Sequence, residues 1–344
     1  MNTTSQKSLC AATALLMAML AACKDEPTGP GSFTVSMTVS NLKRLEPGQG
    51  YYQLWISFPE EERALAKPNH GDGAYISFGT FNVSADGSKL ECLCGSPKIF
   101  EPAHQVDINL ATDAIVTIEL EGEPDDKPGA RLIGGDFTGN DQMATAQMTH
   151  AAEDVFDFDY AAAAAVFMLT TPTTAETNDF KNGIWWINSS GSTVAGIQNL
   201  LAFADSARWR YEGWVIDKSG VTPVPYSTGR FLSIEGRDHD LAGATAGADG
   251  IDNNGDGRGD GFAFPGQDFV RPANGVPAPL LLDNGNFETR ITLEPEPDNS
   301  SSPSALTILA TPVIGPNLNN PDQAVAMENR VLSTFPKATI TINR

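Results

Sequence analysis

Basic residues are scarce in this sequence. Its 344 residues include 22 lysines and arginines but 43 aspartates and glutamates, so the formal charge is −21 with histidine neutral. A chain this acidic repels phosphate instead of releasing counterions from it, which excludes a general nucleic-acid binder. The sequence also lacks a His-Glu-x-x-His motif, a Gly-x-Ser-x-Gly motif and a phosphate-cradling glycine loop, so we do not expect an enzyme.

Long apolar runs are missing too, apart from one at the start. Residues 9–22 are mostly apolar or small and follow Lys7, but this run is shorter than the roughly 18 residues that a membrane-spanning helix needs. The pattern predicts a signal peptide over residues 1–22. Leu20-Ala21-Ala22-Cys23 resembles the bacterial lipobox, which implies acylation of the Cys23 sulfur. An ordinary signal peptide with an incidental cysteine is the alternative.

The residues after the signal peptide fit a lipid anchor. Residues 23–31 are polar and rich in proline and glycine, which predicts a flexible tether. Each buried CH₂ of an acyl chain contributes about 0.8 kcal/mol, so two or three chains would hold the protein to a lipid bilayer without a transmembrane helix. We expect an exported, membrane-anchored protein, on the periplasmic side or at the outer membrane if the cell has two membranes.

Cysteine is rare, with four residues in the whole chain. Cys10 falls within the signal peptide and Cys23 is the predicted lipidation site, which leaves Cys92 and Cys94. Because an exported compartment favours oxidation, this pair predicts a strained local disulfide or, failing that, two quiet thiols in a loop. A redox switch and half of a metal site are the functional alternatives.

The pattern after residue 32 is that of an all-β protein. Short runs rich in valine, isoleucine, phenylalanine, threonine and tyrosine alternate with clusters of glycine, proline, asparagine and aspartate. Residues 33–39 and 114–120 alternate apolar with polar side chains, as half-buried strands do. Several such strands imply a β-sandwich.

An internal repeat organises these strands. Three pairs of segments match in the same order: Asn41-Leu42 leading to Tyr52-Gln-Leu-Trp55-Ile56 with Asn199-Leu200 leading to Tyr211-Glu-Gly-Trp214-Val215, Ser77-Phe-Gly-Thr-Phe81 with Ser227-Thr-Gly-Arg-Phe231, and Ile118-Glu-Leu-Glu-Gly-Glu-Pro-Asp125 with Ile291-Thr-Leu-Glu-Pro-Glu-Pro-Asp298. We interpret the chain as two tandem β-sandwich domains, residues 32–138 and 183–315, with a connector at 139–182 and a C-terminal extension at 316–344.

Two of these regions carry further expectations. The alanine-rich segment from Met143 to Asp154 predicts a short helix within the connector. The C-terminal extension predicts a short helix around residues 323–331 and a last strand at residues 338–343.

The repeated Tyr-x-x-Trp motif raises the question of binding. Side chains three positions apart face opposite sides of an extended chain, so one aromatic could pack in the core while the other forms a carbohydrate or peptide platform. The alternative is that both pack within the sandwich. The candidate binding aromatics are Tyr52, Trp55, Tyr211 and Trp214.

The repeat resembles a known family. The segment from Asn41 through Tyr52-Gln-Leu-Trp55-Ile56 and Gly79-Thr-Phe81 is similar to the extracytoplasmic β domain of anti-sigma-K-type factors, and Tyr211-Glu-Gly-Trp-Val215 is similar to related exported lipoproteins. Members of that family also have a cytoplasmic sigma-binding segment and a transmembrane helix, and this sequence shows neither pattern. The resemblance therefore implies an outward-facing domain that senses or binds a ligand, and it does not extend to sigma binding.

One loop has the composition of a metal site. Residues 249–261 place oxygen-bearing side chains at alternate positions between glycines, as Ca²⁺-binding loops do. Ala263 stands where an EF-hand has its bidentate glutamate, so the loop is closer to the Asp/Asn-rich calcium loops of exported repeat proteins. A solvated turn is the alternative. The candidate ligands are Asp252, Asn254, Asp256 and Asp260, completed by Asp249 or Asp268.

These features favour a lipid-anchored bacterial protein that acts as a binding or envelope-structural module. Its expected partners are the lipid bilayer and an envelope protein, peptide or glycan. One alternative is an anti-sigma-like sensor that works with a separate membrane partner. Another is a hydrolase of envelope polymers, because any two of the 43 acids could meet as a catalytic pair in the fold.

Overall fold

The computed structural model describes residues 33–59, 75–103, 105–120, 122, 127–171, 178–189, 194–234, 238, 264–270, 276–277, 279–298, 300–316 and 323–344. These residues form antiparallel β-sheets with very little helix, so the all-β prediction is confirmed. The strands are β1 Thr34–Ser40, β2 Tyr51–Ser57, β3 Tyr75–Val83, β4 Leu90–Glu91, β5 Asp113–Glu119, β6 Ala130–Gly139, β7 Met143–Met148, β8 Ala164–Phe167, β9 Gly183–Trp185, β10 Ile187–Ser189, β11 Val194–Ala195, β12 Ile197–Gln198, β13 Trp209–Asp217, β14 Val224–Phe231, β15 Gly266–Asp268, β16 Phe287–Pro295, β17 Thr307–Thr311, β18 Val325–Ala326, β19 Glu328–Asn329 and β20 Lys337–Asn343, and helix α1 spans Val331–Thr334.

The first large sheet contains both ends of the described chain. Its eight strands run in the order β1-β20-β7-β6-β5-β2-β3-β4. The predicted last strand is confirmed as β20, which pairs with β1 on one side and with β7 on the other. The C-terminal extension is therefore part of the sheet that begins at Thr34.

One hairpin links the two edge strands of this sheet, β1 and β4. A short hairpin follows β4, and two isolated bridges, Glu91 to Pro97 and Val35 to Phe100, connect it to β4 and to β1. The predicted disulfide between Cys92 and Cys94 lies within this hairpin. The hairpin thus joins the open edges of the sheet at one point, and Phe100 is buried in the core there.

The second large sheet repeats part of the first. Its five strands run in the order β14-β13-β16-β17-β19, and β14-β13-β16-β17 corresponds to β3-β2-β5-β6 in the eight-stranded sheet. The motif strands β2 and β13 thus occupy equivalent central positions. One continuous hydrophobic cluster contains residues of both sheets, and residues 33–344 form one compact unit. The division of the repeat into two separate domains stays a prediction.

The prediction of a helix in the connector is wrong. Residues 143–148 form strand β7, in which Ala144, Ala146 and Met148 are buried while Met143 is exposed. Strand β7 pairs with β20 on one side and with β6 on the other. Pairing on both edges outweighs the modest intrinsic helix preference of alanine.

The prediction of a helix around residues 323–331 is also wrong. The chain forms the two-residue strands β18 and β19 there, and helix α1 begins only at Val331. The short strands pair with β8 and β17, so sheet contacts again decide the backbone conformation.

Candidate functional site

The motif aromatics are all buried. The exposed fraction is 4% for Tyr52, 1% for Trp55, 0% for Tyr211 and 1% for Trp214. Both tyrosines belong to the main hydrophobic cluster, whereas Trp55 belongs to a smaller cluster on the other face of its strand, as the three-residue spacing predicts. None of the four rings is exposed as a binding platform on the surface. All four instead pack inside the protein, which is the second of the two alternatives.

Each motif tryptophan, Trp55 and Trp214, takes part in an equivalent hydrogen-bonded network in its own copy of the repeat. The indole N–H of Trp55 donates to Thr117 Oγ1 at 2.9 Å, and the indole N–H of Trp214 donates to Thr292 Oγ1 at the same distance. Each threonine hydroxyl donates in turn to the glutamate two positions later, Glu119 or Glu294. The two networks explain why the repeat keeps Trp, Thr and Glu in the same relative positions.

The two glutamates also hold the chain that follows their strands. Glu119 Oε1 accepts the backbone N–H of Gly129 at 2.9 Å, and Glu294 Oε1 accepts the backbone N–H of Ser304 at 2.9 Å. An oxygen acceptor at this position therefore serves the same structural role in both copies, because a backbone N–H that is shielded from water and lacks an acceptor is costly.

The Ser-x-Gly-x-Phe segments form matching bulges. The φ angles of Gly79 and Gly229 are 101° and 109°, in the region that favours glycine. Each glycine N–H donates to the serine Oγ two positions earlier at 3.1 Å, and the register of each strand shifts at this point opposite the motif tryptophan.

The Asn-Leu pairs are local anchors of the same kind. Asn41 and Asn199 have φ angles of 59° and 56°, which asparagine tolerates better than most residues. Two positions further on, the backbone carbonyls of Lys43 and Leu201 accept the hydroxyls of Tyr52 and Tyr211 at 2.7 and 2.9 Å. The repeated residues that the structure describes in these segments thus make matching contacts in the two copies.

The copies differ at the residue that follows the motif glutamine or glutamate. Leu54 fills the core of the first copy, and Gly213 occupies the equivalent position in the second. A Cβ atom at Gly213 would lie 2.4 Å from the Trp186 ring and 2.2 Å from Thr228 Oγ1. The ring of Trp186 thus occupies the space that a side chain at position 213 would need.

We expect Gly213→Ala to lower the free energy of unfolding by about 1–3 kcal/mol, because the added methyl group overpacks the core against Trp186. Urea denaturation monitored by tryptophan fluorescence measures this change. Gly315→Ala is the matched control, since no atom lies within 4 Å of a Cβ built at Gly315. Equal stability of the two variants would contradict the packing argument.

A second difference places charge inside the second copy. Gln53 in the first copy donates to Ser77 Oγ, whereas the equivalent Glu212 accepts the Ser227 hydroxyl. Glu212 is completely buried and its Oε2 lies 3.0 Å from Arg230 Nε. Arg230 also contacts Asp298 at 3.2 Å and Glu296 at 3.7 Å.

This ionic cluster has more acids than bases. Burial raises the pKa of Glu212 to about 7, although Arg230 opposes the shift. Burial also holds the pKa of Glu294 well above its ordinary value, and nearby Glu212 adds to that effect. The pKa of Asp298 is raised by burial as well. No sequence motif marks these residues as a cluster. The signal that could have found them is the replacement of Gln53 by Glu212 between otherwise matched motifs.

A cavity opens beside the ionic cluster, where the two copies meet. It encloses about 70 Å³. The first copy contributes residues 41–45 and 48–49 to its lining, and the second copy contributes residues 294–295, 297–298, 300 and 304–306. Its walls are mainly apolar, and Glu294 and Asp298 contribute carboxyl groups. The apolar lining includes Leu42, Leu120, Leu132, Ala305 and Leu306.

The remaining predicted site residues fall into two groups. Asp268 lies in β15, where it is buried and its Oδ1 accepts the indole N–H of Trp185 at 2.9 Å. Cys23, the predicted lipidation site, lies outside the described residues, as do the predicted calcium ligands Asp249, Asp252, Asn254, Asp256 and Asp260. Within the described ranges, no group of three or more histidine, cysteine, aspartate or glutamate side chains is arranged to hold a metal ion.

No helix in the part of the chain that the structure describes has the length and apolar character needed to cross a bilayer. Comparisons with protein-family models, with curated proteins and with solved structures find no match for this chain.

Proposed function

We propose that this protein is a lipid-anchored, exported binding module that takes a ligand in the cavity between its two repeats. The observation that carries this proposal is the composition of the cavity, which combines apolar walls with a few polar groups, as binding sites do. The repeat itself supports a scaffold role, because its shared residues are engaged in hydrogen bonds and core packing.

The size of the cavity limits the ligand. A cavity of about 150 Å³ holds a benzene molecule, and pockets for whole small molecules measure about 300–1,000 Å³. The 70 Å³ found here admits one small apolar group, such as a branched aliphatic side chain of a peptide. We therefore propose that the ligand is a larger envelope molecule and that the cavity binds one apolar group of it.

We expect N-acetyl-leucine methylamide to bind in this cavity. Methyl NMR titration should show shifts at Leu42, Leu120 and Leu306, which line it. Ala305→Trp, at an exposed position of the lining, should weaken binding about tenfold or more by filling the entrance.

Leu332→Trp is the control, because Leu332 is 75% exposed and does not line the cavity. Shifts outside the cavity, or equal binding by both tryptophan variants, would count against the proposal. Absence of binding at millimolar leucine amide would exclude an aliphatic ligand group.

Two further parts of the proposal lie in the residues beyond the described ranges. Acylation at Cys23 would supply the membrane anchor through the tether at residues 23–31. Calcium bound by the acidic residues at 249–261 would stabilise that segment. An anti-sigma-like sensor role would require a separate membrane partner that recognises the same outward-facing domain.

One observation favours a hydrolase as a second candidate function. Glu294 and Asp298 both line the cavity, and burial raises the pKa of each carboxyl group, as general acids require. Against this, Glu119 makes the same hydrogen bonds as Glu294 in the first copy, which indicates a structural role. Hydrolysis of soluble peptidoglycan fragments by the protein, lost in Asp298→Asn, would favour the enzyme.

A further inference from the structure

A second concave surface lies where the eight-stranded sheet fails to close. Strand β1 pairs with β20 along its whole length, but its other edge is bridged in the described residues only at Val35, by Phe100. From residue 36 to residue 40 this edge therefore has no strand partner among the residues described. An unpaired edge presents a row of backbone N–H and C=O groups that can pair with another chain.

A groove of about 520 Å³ runs along this free edge. Residues 35–39 form one wall, and residues 87–90 with Pro97, Lys98 and Phe100 form the other. Along β1 the inward-facing side chains become more exposed, since Val35 is buried while Met37 and Val39 are only half-buried. Five residues at about 3.3 Å each make a wall of about 16 Å, which matches a short extended peptide.

The floor of the groove is apolar. Met37, Val39 and Leu90 pack against the main hydrophobic cluster while remaining partly exposed. They lie on both sides of the opening, so an added strand that alternates apolar with polar side chains would cover them with one of its faces.

The charge of the groove is opposite to that of the chain. Among the residues that the structure describes, the ionisable side chains that line it are Lys89 and Lys98, whereas the whole protein has a formal charge of −21. The carboxylate of Glu101, outside the lining, lies close enough to act on Lys98. The Lys98 ammonium lies 5.4 Å from the centre of the Phe100 ring, and burial lowers its pKa. A half-buried ammonium gains from a nearby carboxylate, because the pair is less screened than at an open surface.

We propose that this groove binds an extended acidic peptide segment of a partner protein, which adds to β1 as a further strand. Backbone pairing with residues 36–40 gives the affinity, apolar side chains cover Met37 and Val39, and carboxylates reach Lys89 and Lys98. This site is separate from the cavity between the repeats.

Fluorescence anisotropy on the whole mature protein tests the proposal. The probe is a fluorescein-labelled peptide that alternates valine with glutamate, and the comparison peptides alternate valine with lysine or carry N-methyl groups at alternate backbone nitrogens of the acidic sequence. We expect binding of the acidic peptide, about tenfold or weaker binding of the lysine peptide, and loss of binding on N-methylation.

Protein variants locate the binding site. Lys89→Glu alone and Lys89→Glu with Lys98→Glu should weaken binding of the acidic peptide about tenfold or more. Lys127→Glu, the same charge reversal at an exposed position outside the groove, should leave the affinity unchanged. The single variant keeps the test valid if the change at Lys98 disturbs folding, which urea denaturation monitors. Failure of the acidic peptide to bind, or binding that is insensitive to N-methylation or to charge reversal, overturns the proposal.

Discussion

Trp214→Ala is expected to lower the free energy of unfolding by about 3–5 kcal/mol, the usual cost of removing a large buried aromatic side chain. Trp214 is 1% exposed, and its indole N–H holds Thr292 and, through it, Glu294. The substitution leaves a large cavity and removes one buried hydrogen bond. Urea denaturation followed by circular dichroism measures the loss.

The internal repeat supplies a matched variant. Trp55→Ala removes the equivalent indole and its bond to Thr117, so we expect a loss of similar size. Trp214→Phe should cost less, because the ring is mostly retained and the main loss is a hydrogen bond of about 1 kcal/mol. A loss below about 1 kcal/mol in both alanine variants would refute the network as a stabilising element.

The same pair of variants tests whether the two copies unfold together. Residues 33–344 share one hydrophobic cluster, and the C-terminal strand β20 pairs with β1. We therefore expect both alanine variants to shift one cooperative transition. Two transitions, each sensitive to only one tryptophan, would instead establish two independently folding domains.

Glu212→Gln is expected to remove a pH dependence of stability worth about 3 kcal/mol. The pKa of Glu212 rises from 4.5 in the unfolded chain to about 7 in the folded protein because the carboxyl group is buried. The folded state therefore binds a proton more tightly than the unfolded state does. This contribution to stability is fully present below pH 4.5 and is lost as the pH rises through about 7.

The measurement is the difference in unfolding free energy between the native protein and the Glu212→Gln variant from pH 4 to pH 8. The stability of the variant should increase relative to that of the native protein as the pH rises, because glutamine does not ionise. Its side chain can still form a hydrogen bond with Ser227, as Gln53 does with Ser77. The reverse change, Gln53→Glu, should introduce a pH dependence of the same sign in the first copy. A difference that stays constant across this range would show that Glu212 keeps an ordinary pKa.

Local sequence patterns were sufficient for the features that depend on neighbouring residues. Alternating side chains predicted β1 and β5, but the expectation that residues 114–120 are half-buried is wrong, because side chains on both faces of β5 are buried. The repeated segments predicted that β2 and β13 occupy equivalent places, because strand faces and bulges are set by spacing along the chain. The buried state of the motif aromatics followed from the same reasoning, as one of two alternatives.

Features that depend on distant partners were missed. The alanine-rich segment at residues 143–148 became a strand because β6 and β20 pair with its two edges, and β20 begins almost two hundred residues later. The cavity and the cluster around Arg230 were not predicted either. Glu212 is about eighty residues away from Glu294 and Asp298 in the sequence, and the three acids acquire their raised pKa values only through shared burial.

The sequence by itself thus determined the all-β class, the repeat and the facing of its aromatic residues, because those properties are periodic and local. Only the tertiary structure decided which strands share a sheet, where the sheet stays open at β1, and which acids are desolvated beside the cavity. The physical reason is that pairing, closure and desolvation arise between residues that no local pattern relates.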